Sequence, residues 1–186
     1  IKTFENPHNR IKEILQSFQE LNPSFPHVQI INEDLSSEQI KFIYRNCNCL
    51  VTPSLGEGFG LPIGEGMLNR IPIITTAWGG QMDFCNIRTA WLIDYKFEYS
   101  KTHLTSAGSV WAKPNHVHLT HLLKEIYGQS PEKVKSKTNI ARESITKYKW
   151  KLVAEKNCDF LFNIGHHLLP KRPKIGLIST WRTKCG

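Results

Sequence analysis

The spacing of apolar residues along the chain predicts helices that alternate with short buried strands. Residues 10–21 place apolar side chains at positions 11, 14, 15, 18 and 21, which is the spacing of one helix face. Four short apolar runs lack this spacing and predict strands, over residues 27–31, 48–54, 72–76 and 90–94. Because predicted helices separate these runs, the pattern indicates an α/β, Rossmann-like parallel sheet with helices on both faces.

Local signals define the remaining elements. Ser36 and Gln39 form a capping-box pattern, which predicts a helix that runs to about Asn46. Residues 115–127 and 131–163 predict two further helices, the second with apolar positions such as Ile145, Trp150 and Phe160 turned inward. Residues 95–114 are interpreted as a loop, and their length suggests a functional one.

The composition places the chain among ordinary globular proteins. It has 186 residues, of which 40% are hydrophobic and 22% charged. This length is enough for one domain with a full core, or for a small domain with an appendage. No apolar run approaches the roughly 20 residues of a transmembrane helix. The net charge is +8, with much of the excess over residues 133–156. A solvated helix face is the simpler interpretation of this excess, and a phosphate-seeking or membrane-surface patch is the alternative.

The cysteines and histidines do not predict a metal centre. Cys47 and Cys49 have one residue between them, too close for the usual zinc spacing. The odd total of five cysteines, without a visible secretory signal, predicts free thiols in a reducing compartment. His116, His118 and His121 share one predicted helix but have no matching cluster of acids or cysteines, so we expect no metal there.

The most informative segment is residues 57–67, in which Glu57 and Glu65 have seven residues between them. A predicted strand precedes the segment, and the loop 55–61 contains three glycines, so its backbone can approach a ligand closely. Pro62 suits the first turn of a helix, where its missing N–H costs nothing. A strand, a glycine loop and a helix start together favour an anion site, with phosphate as the natural ligand.

The two glutamates change the interpretation of this loop. The glycines alone fit an ordinary tight turn from strand to helix equally well. A carboxylate repels a bound anion, so its presence at an anion site indicates another role, such as binding hydroxyl groups or facing positive charge at a reacting carbon. A ligand with both phosphates and hydroxyls, a nucleotide-sugar, accounts for all of these residues.

With these residues in place, the sequence resembles the nucleotide-sugar-binding half of a GT-B glycosyltransferase of family 4, a retaining enzyme. The family motif has two glutamates at this spacing in a Glu-Gly-Phe-Gly-Leu-Pro setting, here Glu57 and Glu65. The flanking pieces of the motif also match, at residues 34–36, 44–45, 53–54 and 77–80. The resemblance covers about residues 1–165.

The resemblance implies a role for each matching residue. Glu57 would be the catalytic group at the reacting face of the donor sugar, and Glu65 would bind the ribose hydroxyls. The donor-binding set would also include the backbone around the diphosphate, the turn that borders the base, and the second glycine turn: Gly58, Phe59, Gly60 and Leu61; Glu33, Asp34 and Leu35; Gly79 and Gly80. No metal and no cofactor would be needed, since backbone amides and the helix dipole bear the phosphate charge.

The chain departs from the family pattern at its start. Members open this domain with a strand and a helix that carry an Arg and a Lys, whereas this chain begins at what resembles the second strand, near residues 1–4. We therefore interpret 1–165 as an incomplete nucleotide-sugar-binding domain, 166–174 as a linker and 175–186 as the start of a following domain, cut from a tandem polypeptide. Residues 175–179 would either occupy or border the empty central slot of the sheet, or form a loose tail.

The function expected from the resemblance is transfer of a sugar, of hexosyl or mannosyl type, from a nucleotide-sugar to a glycan or lipid-linked acceptor with retention, in polysaccharide biosynthesis. The expected partners are the donor, the acceptor and an N-terminal acceptor domain of the same polypeptide, with no nucleic acid. The expected place is the cytoplasm, peripheral to the inner face of the membrane, and these residues alone would be inactive. The alternatives are a non-catalytic or incomplete nucleotide-sugar-binding module, and a basic interaction domain.

Overall fold

The structure, a computed structural model, describes residue 1 and residues 10–100 and 108–168, with side chains up to residue 163. The helices are α1 (Ile11–Leu21), α2 (Ser37–Asn46), α3 (Leu61–Leu68), α4 (His116–Gly128), α5 (Pro131–Ile145) and α6 (Trp150–Leu168). The strands are β1 (Leu50–Thr52), β2 (Ile73–Thr76), β3 (Trp91–Ile93), β4 (Tyr95–Tyr99) and β5 (Val110–Pro114). The linker predicted over 166–174 is wrong at its start, because α6 continues to Leu168. The rest of that linker, and the predictions for residues 2–4 and 175–186, lie outside the described residues.

The described residues divide into two units, of which the first ends at Ile40 and the second begins at Lys41. In the first unit, the predicted strand over 27–31 is wrong in extent: Ile31 makes a single bridge, with its N–H donating to the carbonyl of Ile1 at 2.8 Å. The predicted capping box is confirmed. Gln39 N–H donates to Ser36 Oγ, and Ser36 N–H donates to Gln39 Oε1 at 2.8 Å.

The second unit contains the predicted parallel sheet, in the order β1-β2-β3. β2 is buried along its whole length, and successive side chains point to opposite faces. Ile73 packs with Ile63 and Met67 of α3 on one face, whereas Ile74 packs with Leu122 of α4 on the other. The α/β prediction is confirmed: helices cover both faces of this sheet.

Two glycines let α3 pack closely against its neighbours. A methyl group added at Gly66 would lie 2.8 Å from Ile73 Cδ1 and 3.0 Å from Leu50 Cδ2. One added at Gly64 would lie 3.3 Å from Ile145 Cδ1. Glycine inside a helix costs about 1 kcal/mol relative to alanine. Here the close packing of α3 against the sheet and α5 requires glycine at both positions. This packing holds α3 in place directly after the glycine loop.

Two predictions about the second half are wrong. Residues 95–99 and 110–114 are not loop segments, because they form the antiparallel strand pair β4–β5 (the β-hairpin), in which Phe97 pairs with Ala112. The single helix predicted over 131–163 is two helices, α5 and α6. Tyr148 lies between them and packs against the ring of Phe84, 5.6 Å between centroids. Trp150 and Phe160 of α6 are 84% and 63% exposed and are not core residues.

Two further properties concern the described residues only. None of their helices is both long and apolar enough to cross a bilayer. Cys47, Cys49, Cys85 and Cys158 are free thiols, and burial raises the pKa of Cys85 to about 12.

Candidate functional site

The predicted glycine loop lies at the carboxyl end of the parallel sheet. β1 ends at Thr52, the loop occupies residues 53–60, and α3 begins at Leu61. Because the strands are parallel, the segments that follow β2 and β3 leave the sheet at the same edge. Ligands of parallel α/β sheets bind outside this edge, so the fold places the loop where a ligand is expected.

The start of α3 is open to an anion. Gly60 is the N-cap residue at φ 84°, a left-handed conformation that favours glycine, and it has no side chain to cap the helix. Pro62 lies in the first turn, as the sequence predicts. The structure gives the N–H groups of Phe59, Gly60 and Leu61 no acceptor among the described residues. Unpaired amides at the positive end of a helix dipole attract phosphate.

Glu57 lies beside this helix start. A methyl group added at Gly60 would lie 3.4 Å from Glu57 Cγ, so the side chain of Glu57 passes over the N-cap position. The residue is half-buried, and within the described part of the chain its carboxylate has no recorded hydrogen bond or ion pair. Its backbone is fixed, because its carbonyl accepts a hydrogen bond from Gly80 N–H at 2.9 Å. The carboxylate is therefore available to a ligand while its backbone is held.

The Gly79–Gly80 turn is packed against the glycine loop. Gly79 has φ 124°, which a residue with a side chain rarely adopts. A methyl group on Gly80 would overlap the carbonyl oxygen of Gly58. Sequence reasoning placed both segments in the donor site, and the structure brings them together through backbone contact.

Gln81 holds this second turn, and sequence reasoning missed it. The side chain is fully buried, and its Nε2 donates to the carbonyls of Trp78 at 2.9 Å and Thr76 at 3.0 Å. These bonds tie the end of β2 to the 3₁₀ turn Gly80–Asp83. The sequence offers one signal for this role, an amide side chain directly after two glycines. The carbonyl groups that Gln81 contacts depend on the geometry of the turn and could not be predicted from it.

Glu65 lies one turn into α3 and is exposed, with its Oε2 accepting a hydrogen bond from Tyr44 Oη at 3.0 Å. Tyr44 comes from the end of α2, and its hydroxyl also lies 3.2 Å from the carbonyl of Pro62. Burial, and then the hydrogen bond to Glu65, raise the pKa of Tyr44 well above its usual range. The phenol therefore stays protonated and acts as a donor to the carboxylate.

Aromatic residues anchor both loops. The ring of Phe59 packs against Phe84 and Tyr148, with centroids 5.1 and 5.9 Å apart, so its backbone is held at the start of α3. Trp78 meets Phe97 of β4 edge to face at 5.6 Å. Ala112 N–H of β5 donates to the carbonyl of Leu55 at 2.9 Å. The hairpin, which sequence reasoning took for a loop, thus contacts both turns of the site.

The predicted base-binding turn belongs to the first unit. Glu33 and Asp34 are exposed and Leu35 is half-buried, and all three directly precede the capping box of α2. The structure brings together the other predicted site residues, from Glu57 to Glu65 and at Gly79 and Gly80, within the second unit.

Two surface depressions of the second unit lie elsewhere. One of about 350 Å³ lies after β3 and one of about 370 Å³ lies beside α5, and neither includes Glu57 or Glu65. They are lined by Asp94, Tyr95, Lys96, Lys113, Pro114, Asn115 and His116, and by Arg70, Asn139, Arg142, Glu143 and Thr146. We favour the glycine loop as the site, because it presents unpaired amides and a free carboxylate together, whereas the depressions present mainly exposed polar side chains.

Within the described part of the chain, no group of three or more His, Cys, Asp or Glu side chains is placed to hold a metal ion. His118 contacts a carboxylate instead, with its Nδ1 2.9 Å from Asp94 Oδ2.

Comparison with known proteins gives a family match for the segment that contains the glycine loop. The sequence model of the family "Glycosyl transferases group 1" matches residues 7–96. No curated protein shows significant similarity to the chain.

Solved structures share the fold at low sequence identity. Sucrose-phosphate synthase from Thermosynechococcus elongatus is 19% identical with a TM-score of 0.65, over 89% of this chain and 38% of that one. A glycosyltransferase from Rickettsia africae is 18% identical with a TM-score of 0.65, over 90% and 40%. The C-terminal domain of a glycosyl transferase group 1 family protein from Francisella tularensis is 18% identical with a TM-score of 0.58, over 77% and 65%.

This chain therefore spans about two fifths of the first and second of these proteins. Their likeness shows the fold, and the family match covers the loop with both glutamates. Residues 7–96 thus match the glycosyl transferases group 1 family model, and the chain shares the α/β fold of the solved structures named above.

Proposed function

We propose that this chain is the nucleotide-sugar-binding half of a retaining glycosyltransferase of family 4, which transfers a sugar from a nucleoside diphosphate donor to a glycan or lipid-linked acceptor. One observation carries the proposal. The unpaired amides at the start of α3 lie beside Glu57, and Glu65 lies one turn further along the same helix. Phosphate, sugar and ribose thus each have a group of suitable chemistry within one short segment.

In the proposed reaction, the nucleoside diphosphate is the leaving group and gains negative charge as the glycosidic bond breaks. Preorganised N–H groups at Phe59, Gly60 and Leu61 would stabilise that charge, as donors do when aimed at charge that develops in a transition state. Glu57 would face the positive charge that develops at the anomeric carbon. Glu65 would accept hydrogen bonds from the ribose hydroxyls. Because the amides and the helix dipole would bear the phosphate charge, no step of the proposed reaction would require a metal ion.

The proposal for the whole enzyme goes further than this chain. Acceptor binding would come from an N-terminal domain of the same polypeptide, and the donor would be of hexosyl or mannosyl type. The enzyme would act in polysaccharide biosynthesis in the cytoplasm, peripheral to the membrane. The Lys-rich junction between α5 and α6 supports membrane contact, since Lys147 and Lys149 of the connecting segment and Lys151 of the first turn of α6 are exposed.

A thermal-shift screen of UDP-, GDP- and ADP-sugars tests the binding half of the proposal. A ligand that binds only the folded state raises apparent stability by about 2.7 kcal/mol at one hundred times its Kd. We expect one nucleotide class to raise Tm, and the shift to persist in excess chelator. No shift with any nucleotide-sugar would contradict the proposal, and a shift that requires magnesium or manganese would contradict its metal independence.

The second candidate is a binding module without catalysis. Donor binding with no transfer, in the complete polypeptide supplied with acceptor, would favour that module. Salt-sensitive binding to polyanions without nucleotide-sugar binding would instead favour a basic interaction domain.

A further inference from the structure

Tyr44 connects two parts of the proposed site that are far apart in sequence. It lies near the end of α2, and its hydroxyl reaches Glu65 Oε2 at 3.0 Å across 21 positions of the chain. The same hydroxyl lies 3.2 Å from the carbonyl of Pro62, in the first turn of α3. The only side-chain hydrogen bond that the described residues give Glu65 is the one from Tyr44.

The hydroxyl has one proton and two nearby acceptors. A phenol donates a single hydrogen bond, and a carboxylate is a stronger acceptor than a peptide carbonyl. The shorter contact is the one to Glu65. We therefore assign the donated hydrogen bond of Tyr44 Oη to Glu65 Oε2, with the carbonyl of Pro62 as the secondary acceptor that keeps the phenol close to the helix start.

This contact removes a freedom that Glu65 would otherwise have. A glutamate on an exposed helix face samples several rotamers, and fixing a long side chain costs up to about 2 kcal/mol of entropy. Tyr44 is half-buried, so it is a fixed donor. Because Tyr44 uses one acceptor site of Oε2, Oε1 is the oxygen that keeps both of its acceptor sites for hydroxyl groups of a ligand.

We propose that Tyr44 is a positioning residue, which fixes the carboxylate of Glu65 so that Oε1 is presented to the ribose of the donor. This inference rests on the proposed function, in which Glu65 receives the ribose hydroxyls. Tyr44 touches neither the phosphates nor the reacting carbon in this account, and acts through Glu65 alone.

A double-mutant cycle on the whole 186-residue protein tests the assignment, with calorimetry of the nucleoside diphosphate that binds best among UDP, GDP and ADP. Y44F removes only the hydroxyl. We expect Y44F to weaken affinity about three- to tenfold, the range for one ordinary hydrogen bond. In the E65A background the same change should alter affinity less than about twofold, because the partner is already gone.

A second readout separates positioning from a merely structural role. The ratio of affinities for the ribonucleotide and its 2′- and 3′-deoxy analogues reports the ribose contact. We expect Y44F to reduce that ratio by about the same factor as the affinity, and Y127F to leave both unchanged. Tyr127 is the matched control, since it is 95% exposed and lies at the far end of α4.

The possible results distinguish a failure of the role proposed for Tyr44 from a failure of the proposed function. An equal loss from Y44F in the parent and E65A backgrounds, or an unchanged deoxy ratio, would overturn the role of Tyr44 while leaving the site intact. If E65A itself binds the nucleotide as well as the parent does, the ribose role of Glu65 in the proposed function fails.

Discussion

The protein holds its two glutamates in different ways. Glu57 has a fixed backbone and a carboxylate with no recorded partner in the described structure, whereas Glu65 has one carboxylate oxygen bound by Tyr44. A free carboxylate can respond to charge that develops during a reaction, and a fixed one suits ground-state recognition. The two residues should therefore differ in which kinetic parameter they control.

For Glu65 we expect an effect on binding. E65A should weaken nucleotide-sugar affinity by about 1–3 kcal/mol, because the ribose hydroxyls lose a charged acceptor. Calorimetry measures the change, and E132A, an exposed glutamate at the start of α5, is the control. Unchanged affinity in E65A would remove the ribose role.

For Glu57 we expect an effect on turnover in the complete enzyme. E57Q keeps the shape of the side chain and removes its charge, so kcat should fall about 100-fold or more while KM changes little. Steady-state kinetics with donor and acceptor separate the two parameters. A mutant kcat equal to that of the parent would rule out the catalytic assignment.

At the residue level, local chemistry was predictable and tertiary partners were not. Gly60 and Pro62 lie at the start of α3 as predicted, because their effect on the backbone is local. The roles of Tyr44 and Gln81 depend on atoms contributed by other segments. The spacing of residues along the sequence does not predict those contacts.

At the scale of elements, the loop between β1 and α3 depends on the turn after β2. Gly80 N–H donates to the carbonyl of Glu57, and Gly80 lies so close to Gly58 that no side chain fits between them. The two turns therefore form one structural unit, although a buried strand and α3 separate them in sequence.

This contact predicts unequal effects at two neighbouring glycines. G80A should lower the free energy of unfolding by about 1–3 kcal/mol, since the new methyl group overlaps a backbone oxygen and the loop must shift. G58A is the matched control, because a methyl group there meets nothing within 4 Å. Urea denaturation measures both variants, and equal stability would show that the turns are not packed as described.

The errors at this scale have identifiable causes. Tyr95, Phe97 and Tyr99 alternate with Lys96 and Glu98, so the two-residue period of a strand was present in the sequence. The pairing partner of β4 lies more than ten residues away, and the polar residues between them favoured a loop. Residues 146–149 contain neither Gly nor Pro, and the break between α5 and α6 coincides with the packing of Tyr148 on Phe59 and Phe84.

For the whole molecule, the alternation of strands and helices was enough to predict a parallel α/β sheet. The spacing of apolar residues shows which face of each element must be buried against another element. Function could not be predicted from the fold, because one fold serves many chemistries. The net charge of +8 supports several interpretations. Among the described residues, the segment from Glu57 to Glu65 combines a position at the carboxyl edge of the sheet with unpaired amides and two carboxylates, and the proposed function depends on it.

Backbone NMR of the labelled protein during titration with a nucleoside diphosphate tests that dependence most directly. The account predicts that the largest amide shift changes occur at Phe59, Gly60 and Leu61, because their unpaired N–H groups would bind the phosphates. Changes concentrated at the depression of Lys96 and Lys113, or at that of Arg70 and Arg142, with the three loop amides unmoved, would contradict it.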